Sequence, residues 1–393
     1  MGPSQRGVVI TGYGLVSPLG LGVPAFWRGI VAGETALRRI RNFATDDLVP
    51  DVAAEVDIAL GDDPDRAGAF AELAAVEALA SAALGWPATE PDATGVALGS
   101  TLGGMQLFER WDAAAFAHSP APEGLAAVPY YGPSVRLARA LRCSGPVATP
   151  QLACASGTWA IALAAEWIRA GRAQMVVAGG TDLLCRFVVA GFNSLRATAD
   201  VARPFDRDRR GLVLGEGAAV VVVEDAEHAA RRGAPVRARI LGAGAAADAV
   251  HLTAPDREGG GAARAIGAAL TEAGIEPSAI DFVSAHGTGT PYNDAMEAVV
   301  FGRVFGERAV PVQSVKGAIG HTLGAAGAFD AVVSVRALET GTIPPTAGLR
   351  EVGPDCAAAD VVLGEPRRAQ VAHVVSTSSG FAGANAALVL GRA

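Results

Sequence analysis

Residues Ala262–Pro277 read AARAIGAALTEAGIEP, and from Asp281 the chain continues Asp281-Phe282-Val283-Ser284-Ala285-His286-Gly287-Thr288. This is an Ala-rich helix, a Gly/Pro break, a short apolar strand and a polar Gly-Thr tip. The same order occurs in the first half of the chain. Ala74–Pro87 reads AAVEALASAALGWP and is followed by Thr94-Gly95-Val96-Ala97-Leu98-Gly99-Ser100-Thr101. A second correspondence lies further on in each half. Cys154-Ala155-Ser156-Gly157 opens one Ala-rich helix and His321-Thr322-Leu323-Gly324 another, with Gly three residues after the Cys or His. Two similar α/β halves would put these helix starts in equivalent places. The charged Gly/Pro break Arg231-Arg232-Gly233-Ala234-Pro235 marks the join, giving halves 1–232 and 233–393.

Between these landmarks strands and helices alternate. Val8–Thr11 reads as a strand, Gly12-Tyr13-Gly14 as a turn, Asp65–Leu84 as a helix and Val147–Leu152 as a strand weakened by Pro150. Ala155–Ala170 is a helix ending at Gly171, Met175–Ala178 and Gly217–Glu224 are strands, and Val236–Leu241 opens the second half. Gly259-Gly260-Gly261 reads as a short flexible tract. The alternation predicts an α/β protein with largely parallel sheets.

Composition narrows the function. The 393 residues are 50% hydrophobic and 18% charged, which excludes a mostly disordered chain. The net charge of −8 argues against a general nucleic-acid binder, whose phosphate contacts need a basic field. No apolar run approaches the ~18 residues of a membrane span. The early apolar stretch is broken by Thr11, Gly12, Gly14, Ser17 and Pro18, so it reads as strand and turn rather than signal peptide. The four Cys, at 143, 154, 185 and 356, show no C-x-x-C spacing. A reducing cytoplasmic setting is expected, and no structural zinc or other metal site.

Three residues stand out chemically. Cys154 follows a strand and precedes a helix, where unpaired N–H groups and the helix dipole favour thiolate. Its small neighbours leave room for a substrate, and the apolar helix behind it is a rigid mount. The alternative is a buried inert thiol, the ordinary fate of a free Cys and the reading for Cys143, Cys185 and Cys356. His286 ends a strand and enters a Gly/Thr loop, the place where open α/β sheets hold ligands. His321 opens a helix in Lys316-Gly317-Ala318-Ile319-Gly320-His321, which disfavours imidazolium. Either His alone could be structural; together with Cys154 they form a nucleophile constellation. No completed G-x-G-x-x-G, P-loop or G-x-S-x-G motif occurs.

These motifs resemble those of the thiolase superfamily, and more narrowly the elongating β-ketoacyl-[acyl-carrier-protein] synthases. The resemblance runs from Val8-Val9-Ile10-Thr11-Gly12 to Gly380-Phe381-Ala382-Gly383-Ala384-Asn385. It passes through Ala153–Gly157, Arg203–Gly217, His286–Thr290 with Asn293-Asp294, and Lys316–Gly327. It implies a thiolase-like duplicated αβαβα fold with two mixed sheets. It implies Cys154 as acyl-accepting nucleophile, His286 and His321 as the pair that holds the malonyl thioester oxygen during decarboxylation, and Lys316 as a buried electrostatic support. Asp330 stands where family members usually have Glu, one methylene longer, which suggests a longer or water-bridged Lys316 pair. The amides of Cys154 and Phe381 would form an oxyanion hole, with Phe381 as a gate and Thr288 and Thr290 as partners of a phosphopantetheine arm. Leu102 and Phe192 would line the acyl pocket.

The implied reaction is decarboxylative condensation with a malonyl carrier protein, in fatty-acid or specialised polyketide or polyene synthesis. Ala155, Asn293-Asp294 and Asp330 lean towards the specialised side. No intrinsic cofactor is implied, since phosphopantetheine arrives on the acyl-carrier protein. The quaternary expectation is a homodimer or a heterodimer with a chain-length-factor homologue. A non-catalytic chain-length-factor-like subunit is the alternative, disfavoured by Cys154. Arg38, Arg39 and Arg41, or Arg203 with Arg207, Arg209 and Arg210, are candidate carrier-docking patches.

Overall fold

In the computed structural model, which describes residues 6–60, 63–87, 90–117, 127–306 and 308–393, the two halves of the chain build the same unit. The first supplies β1 (Val8–Ser17), α1 (Arg66–Ser81), β2 (Thr94–Gly99), β3 (Val147–Ala148), α2 (Ser156–Arg169), β4 (Met175–Asp182) and β5 (Gly217–Asp225). The second supplies β6 (Ala238–Ala247), α3 (Gly260–Ala273), β7 (Phe282–Ser284), α4 (Pro291–Phe305), β8 (Pro311–Gln313), α5 (Ala326–Thr340), β9 (His373–Gly380) and β10 (Ala384–Arg392).

Strand order is β3-β2-β4-β5-β1 in one half and β8-β7-β9-β10-β6 in the other. Each half has the same parallel and antiparallel neighbours. The duplication inferred from two helix–strand stretches therefore extends to the whole topology. The two expected sheets meet edge to edge, because β1 and β6 pair antiparallel through Val9↔Arg239 and Ile10↔Ala238. The result is one continuous mixed sheet path with a short seam.

Sequence reading underestimated β1. Gly12-Tyr13-Gly14 is not a turn; all ten residues of β1 are extended and buried. The glycines are there because α1 lies directly on the strand. A Cβ at Gly12 would fall 2.1 Å from the Ala78 carbonyl oxygen, and one at Gly14 2.2 Å from that of Ala74. In the other half Gly242 and Gly244 meet the Ala269 and Ala265 oxygens of α3, each at 2.2 Å. β3 is shorter than expected, and Pro150, without an N–H, lies beyond its end. Gly259–Gly261 is not a flexible tract: Gly259 caps α3 with φ +62° and Gly260 is its first residue.

Three helical layers sandwich the two half-sheets. α1 covers one outer face, α3 and α4 the other, and α2 with α5 fill the centre. α2 and α5 are apolar on nearly every side, as helices between two sheets must be. Their backbones approach closely: a Cβ at Gly157 would stand 2.7 Å from the Gly324 oxygen, and one at Gly327 1.9 Å from Thr158 Oγ1. Among the described residues no helix is long and apolar enough to cross a membrane.

Candidate active site

The internal symmetry locates the functional loops. α2 begins at Ser156 and α5 at Ala326, and each is preceded by a residue in left-handed conformation, Ala153 at φ +48° and Leu323 at φ +52°. Cys154 therefore corresponds to Gly324, not to His321. The expected equivalence is off by three residues, because a 3₁₀ turn, Leu323–Ala325, is inserted before α5. His321 does not open a helix; it lies ahead of that turn.

The bend before Cys154 is tied by Ser156, whose Oγ donates to the Ala153 oxygen (2.6 Å) and accepts from the Leu152 N–H (2.9 Å). Small residues are required around it: a Cβ at Gly380 would lie 3.0 Å from the Cys154 nitrogen. The backbone N–H groups of Phe381 and Cys154 favour the charged form of the Cys154 sulfur.

The electrostatics of Cys154 correct the expected thiolate. Burial pushes the thiol up to about 12; the Lys316 charge and the two amides pull it down, and Asp182 pushes it up. The sulfur is therefore held chiefly as the thiol at pH 7. Alkylation of Cys154 by iodoacetamide should rise about tenfold per pH unit from pH 7 to 10 without levelling. A plateau at neutral pH would show a resting thiolate instead.

His286 and His321 meet in a T-shaped contact with ring centroids 5.1 Å apart. Their loops are built differently. The His321 backbone bridges to Val213 and Gly215, and its Nδ1 accepts the Leu323 N–H at 3.2 Å. The neutral ring then carries its proton on Nε2. The His286 loop hangs on two carboxylates of α4, Asp294 in its first turn and Glu297 one turn further on. Glu297 accepts the His286 N–H (2.8 Å) and the Gly287 N–H (2.6 Å). Asp294 accepts from Thr288, Gly289 and Phe205 N–H. His286 Nδ1 is buried without a partner, so Nε2 is the nitrogen that reaches the cavity. Burial and the Lys316 charge hold both imidazoles well below the usual histidine range, with His321 also acting against His286. Both are neutral donors at physiological pH.

Lys316 and Asp330 are buried, with Nζ to Oδ2 at 3.4 Å and Asp330 Oδ1 unpartnered. The contact is direct, a single ion pair at the outer edge of hydrogen-bond distance. Burial raises the Asp330 carboxyl to about 6 and Lys316 lowers it. Burial, reinforced by Asp294, also lifts Glu297 to about 7.

Two cavities meet at Cys154. One of about 370 Å³ is lined by Cys154, His286, His321, Thr288, Thr290, Phe381 and, towards its mouth, Arg196, Arg210 and Tyr292. The other, of about 570 Å³, is lined by Cys154, Leu102, Phe192, Leu323 and Phe381, with Phe187 and Leu195 at an exposed edge. Phe192 and Phe381 stack between them at 5.5 Å. Thr288 and Thr290 share a hydroxyl contact of 2.9 Å. Every site residue named from the sequence borders one of these cavities, except Lys316 and Asp330, which lie behind them. Sequence reading missed Glu297 and Asp182. Glu297 sits mid-helix in α4 with no motif of its own to mark it.

The candidate docking patches fare differently. Arg38, Arg39 and Arg41 pair with Glu55, Asp51 and Asp57. Arg207 and Arg209 pair with Glu351 and Asp355. Arg203 and Arg210 line a surface cavity of about 520 Å³ beside the mouth of the first.

Residues 5–229 match the family model for the N-terminal domain of beta-ketoacyl synthase and residues 237–350 that for the C-terminal domain. The chain belongs to the beta-ketoacyl synthase family, the condensing acyltransferases of fatty-acid and type II polyketide assembly. It is 38% identical to the tetracenomycin polyketide synthase ketoacyl synthase alpha subunit of Streptomyces glaucescens, over 99% of this chain and 98% of that one. It is 37% identical to 3-oxoacyl-[acyl-carrier-protein] synthase 2 of Coxiella burnetii, over 99% of both. Among solved structures, the ishigamide ketosynthase/chain length factor superposes with a TM-score of 0.93 at 37% identity, covering 99% of each chain. A type II polyketide ketosynthase in complex with its acyl-carrier protein, AntDE:AntF, gives 0.92 at 27% identity over 99% of each.

Proposed function

We propose that this chain joins an acyl group held on Cys154 to a malonyl unit carried by an acyl-carrier protein, releasing CO₂ and leaving a β-ketoacyl carrier. The observation that carries this reading is the junction of two cavities at one sulfur, with two neutral imidazole donors in one of them.

In the first half-reaction the Cys154 sulfur attacks the acyl thioester. The amides of Cys154 and Phe381 take the negative oxygen, and the thiol proton leaves on the departing pantetheine sulfur. The acyl chain lies in the cavity lined by Leu102 and Phe192. In the second, the malonyl arm enters past Thr288 and Thr290. Loss of CO₂ leaves an enolate whose oxygen is held by the His286 and His321 N–H groups. Its carbon attacks the acyl carbonyl, and the Cys154 sulfur leaves as thiolate and takes one proton from water to restore the resting thiol. Lys316 supplies buried positive charge that keeps both rings neutral, and Asp330 holds Lys316 in place.

The partners are an acyl-carrier protein at the first cavity and a second subunit over the exposed edge at Phe187 and Leu195. That subunit is a copy of this chain or a chain-length-factor homologue, and the pathway is a specialised polyketide or polyene one. The location is cytoplasmic, where the nucleophile stays reduced. Incubation with a panel of acyl-carrier thioesters should place the acyl mass on the Cys154 peptide. No adduct, or an adduct elsewhere, would overturn the reading in favour of a non-catalytic subunit.

A further inference from the structure

Asp182 ends β4, is fully buried, and has no part in the steps above. Its carboxylate gathers donors from two distant segments. Oδ1 accepts from Ser100 Oγ (2.9 Å) and the Leu102 N–H (3.0 Å). Oδ2 accepts from Thr101 Oγ1 (2.7 Å), the Thr101 N–H (3.0 Å) and the Gly324 N–H (2.7 Å). The fit at Gly324 is tight, since a Cβ there would lie 2.7 Å from Oδ2.

Both segments matter to the site. Thr101, Leu102 and Leu323 line the cavity behind Cys154. Leu323 also fixes the His321 ring through its N–H. By the internal symmetry Gly324 is the counterpart of Cys154. The amide that faces a substrate oxygen in one half is thus occupied in the other by a carboxylate of the chain itself.

We propose that Asp182 is a positioning residue for the condensation. It holds the Thr101-Leu102 wall and the Leu323-Gly324 turn as one unit, so the acyl chains accepted and the alignment of the His321 donor are set together. This rests on the reading of the second cavity as the acyl site. Its charge also opposes ionisation of Cys154, which gives a second, independent readout.

The test is Asp182→Asn, which keeps the volume but turns one acceptor oxygen into a donor among donors. The expected result is a fall in condensation kcat of about tenfold or more, with KM for the malonyl carrier changed by less than about threefold. The range of acyl lengths loaded onto Cys154 broadens, and Cys154 alkylation shifts to lower pH. Unchanged kcat and acyl range would overturn the proposal, and so would an equal loss of every step with the alkylation profile unmoved. If the Asn variant does not fold, Thr101→Val removes one donor and leaves the carboxylate. A two- to threefold shift in acyl preference is then expected (about the effect of a weakened contact), and an unaltered panel overturns the proposal. Wild-type protein is run alongside: if it takes no acyl group on Cys154, the functional reading falls and this proposal with it. An acylated wild type with an unaltered variant removes the Asp182 proposal alone.

Discussion

In a Cys154→Ala variant, carbon–carbon bond formation is expected to fall by at least about a thousandfold, while slow loss of CO₂ from the malonyl carrier persists. The two losses separate because the chemistry is divided between the halves of the chain. The sulfur belongs to the loop before α2 and is needed wherever an acyl group must be stored. The imidazoles belong to loops of the second half, and neither their backbone anchors nor the Nδ1 contact of His321 involves Cys154. Removing the sulfur leaves the donors, their neutral state and the first cavity in place. Condensing activity followed by mass spectrometry, with CO₂ release measured in parallel, checks this. Equal loss of both would show that enolate formation needs the sulfur, and the two-cavity division of labour would be wrong.

That division was partly visible in the residues. Cys154 and His286 could be placed because strand–loop–helix punctuation survives in sequence as Gly, small residues and apolar runs. The repeat was visible because Ala-rich helices and their breaks recur at matching places. The carboxylates that shape the loops were not. Asp294 stands out only as part of the Asn293-Asp294 motif and Glu297 sits within an ordinary α4 sequence; only the fold brings both under the 286–290 loop. Asp182 ends a strand whose partners, Ser100 to Leu102 and Gly324, are far away in the chain. Gly12 and Gly14 were misread because a glycine demanded by a helix crossing looks locally the same as one demanded by a turn.

The ionisation of Cys154 failed for a similar reason. A helix start lowers a thiol's pKa, and sequence shows the helix start. Sequence does not show that the sulfur is enclosed, and enclosure dominates here. A buried thiol at rest suits an enzyme that must not alkylate or oxidise between turnovers. The incoming thioester supplies, in its departing pantetheine sulfur, the group that takes the proton.

Replacing either imidazole should have the opposite signature. In His286→Ala or His321→Ala, decarboxylation is expected to drop about 10²- to 10³-fold, while acyl transfer to Cys154 stays within about tenfold of wild type. Each ring offers one N–H to an oxygen that gains full charge only as CO₂ departs. The two losses should not add, since the surviving donor alone cannot fix the enolate plane. Because burial and Lys316 hold both rings well below the ordinary histidine range, neither ring changes charge near neutrality. The rings themselves should therefore give no acid limb between pH 8 and pH 6.5; Glu297, lifted to about 7 beneath the His286 loop, is the group that can, and Glu297→Gln should remove any limb seen there. CO₂ release from malonyl carrier by pre-acylated enzyme measures both effects. A fall centred near pH 6.5 that survives in Glu297→Gln, or variants that lose acylation as heavily as decarboxylation, would assign the pair to the nucleophile rather than to the enolate.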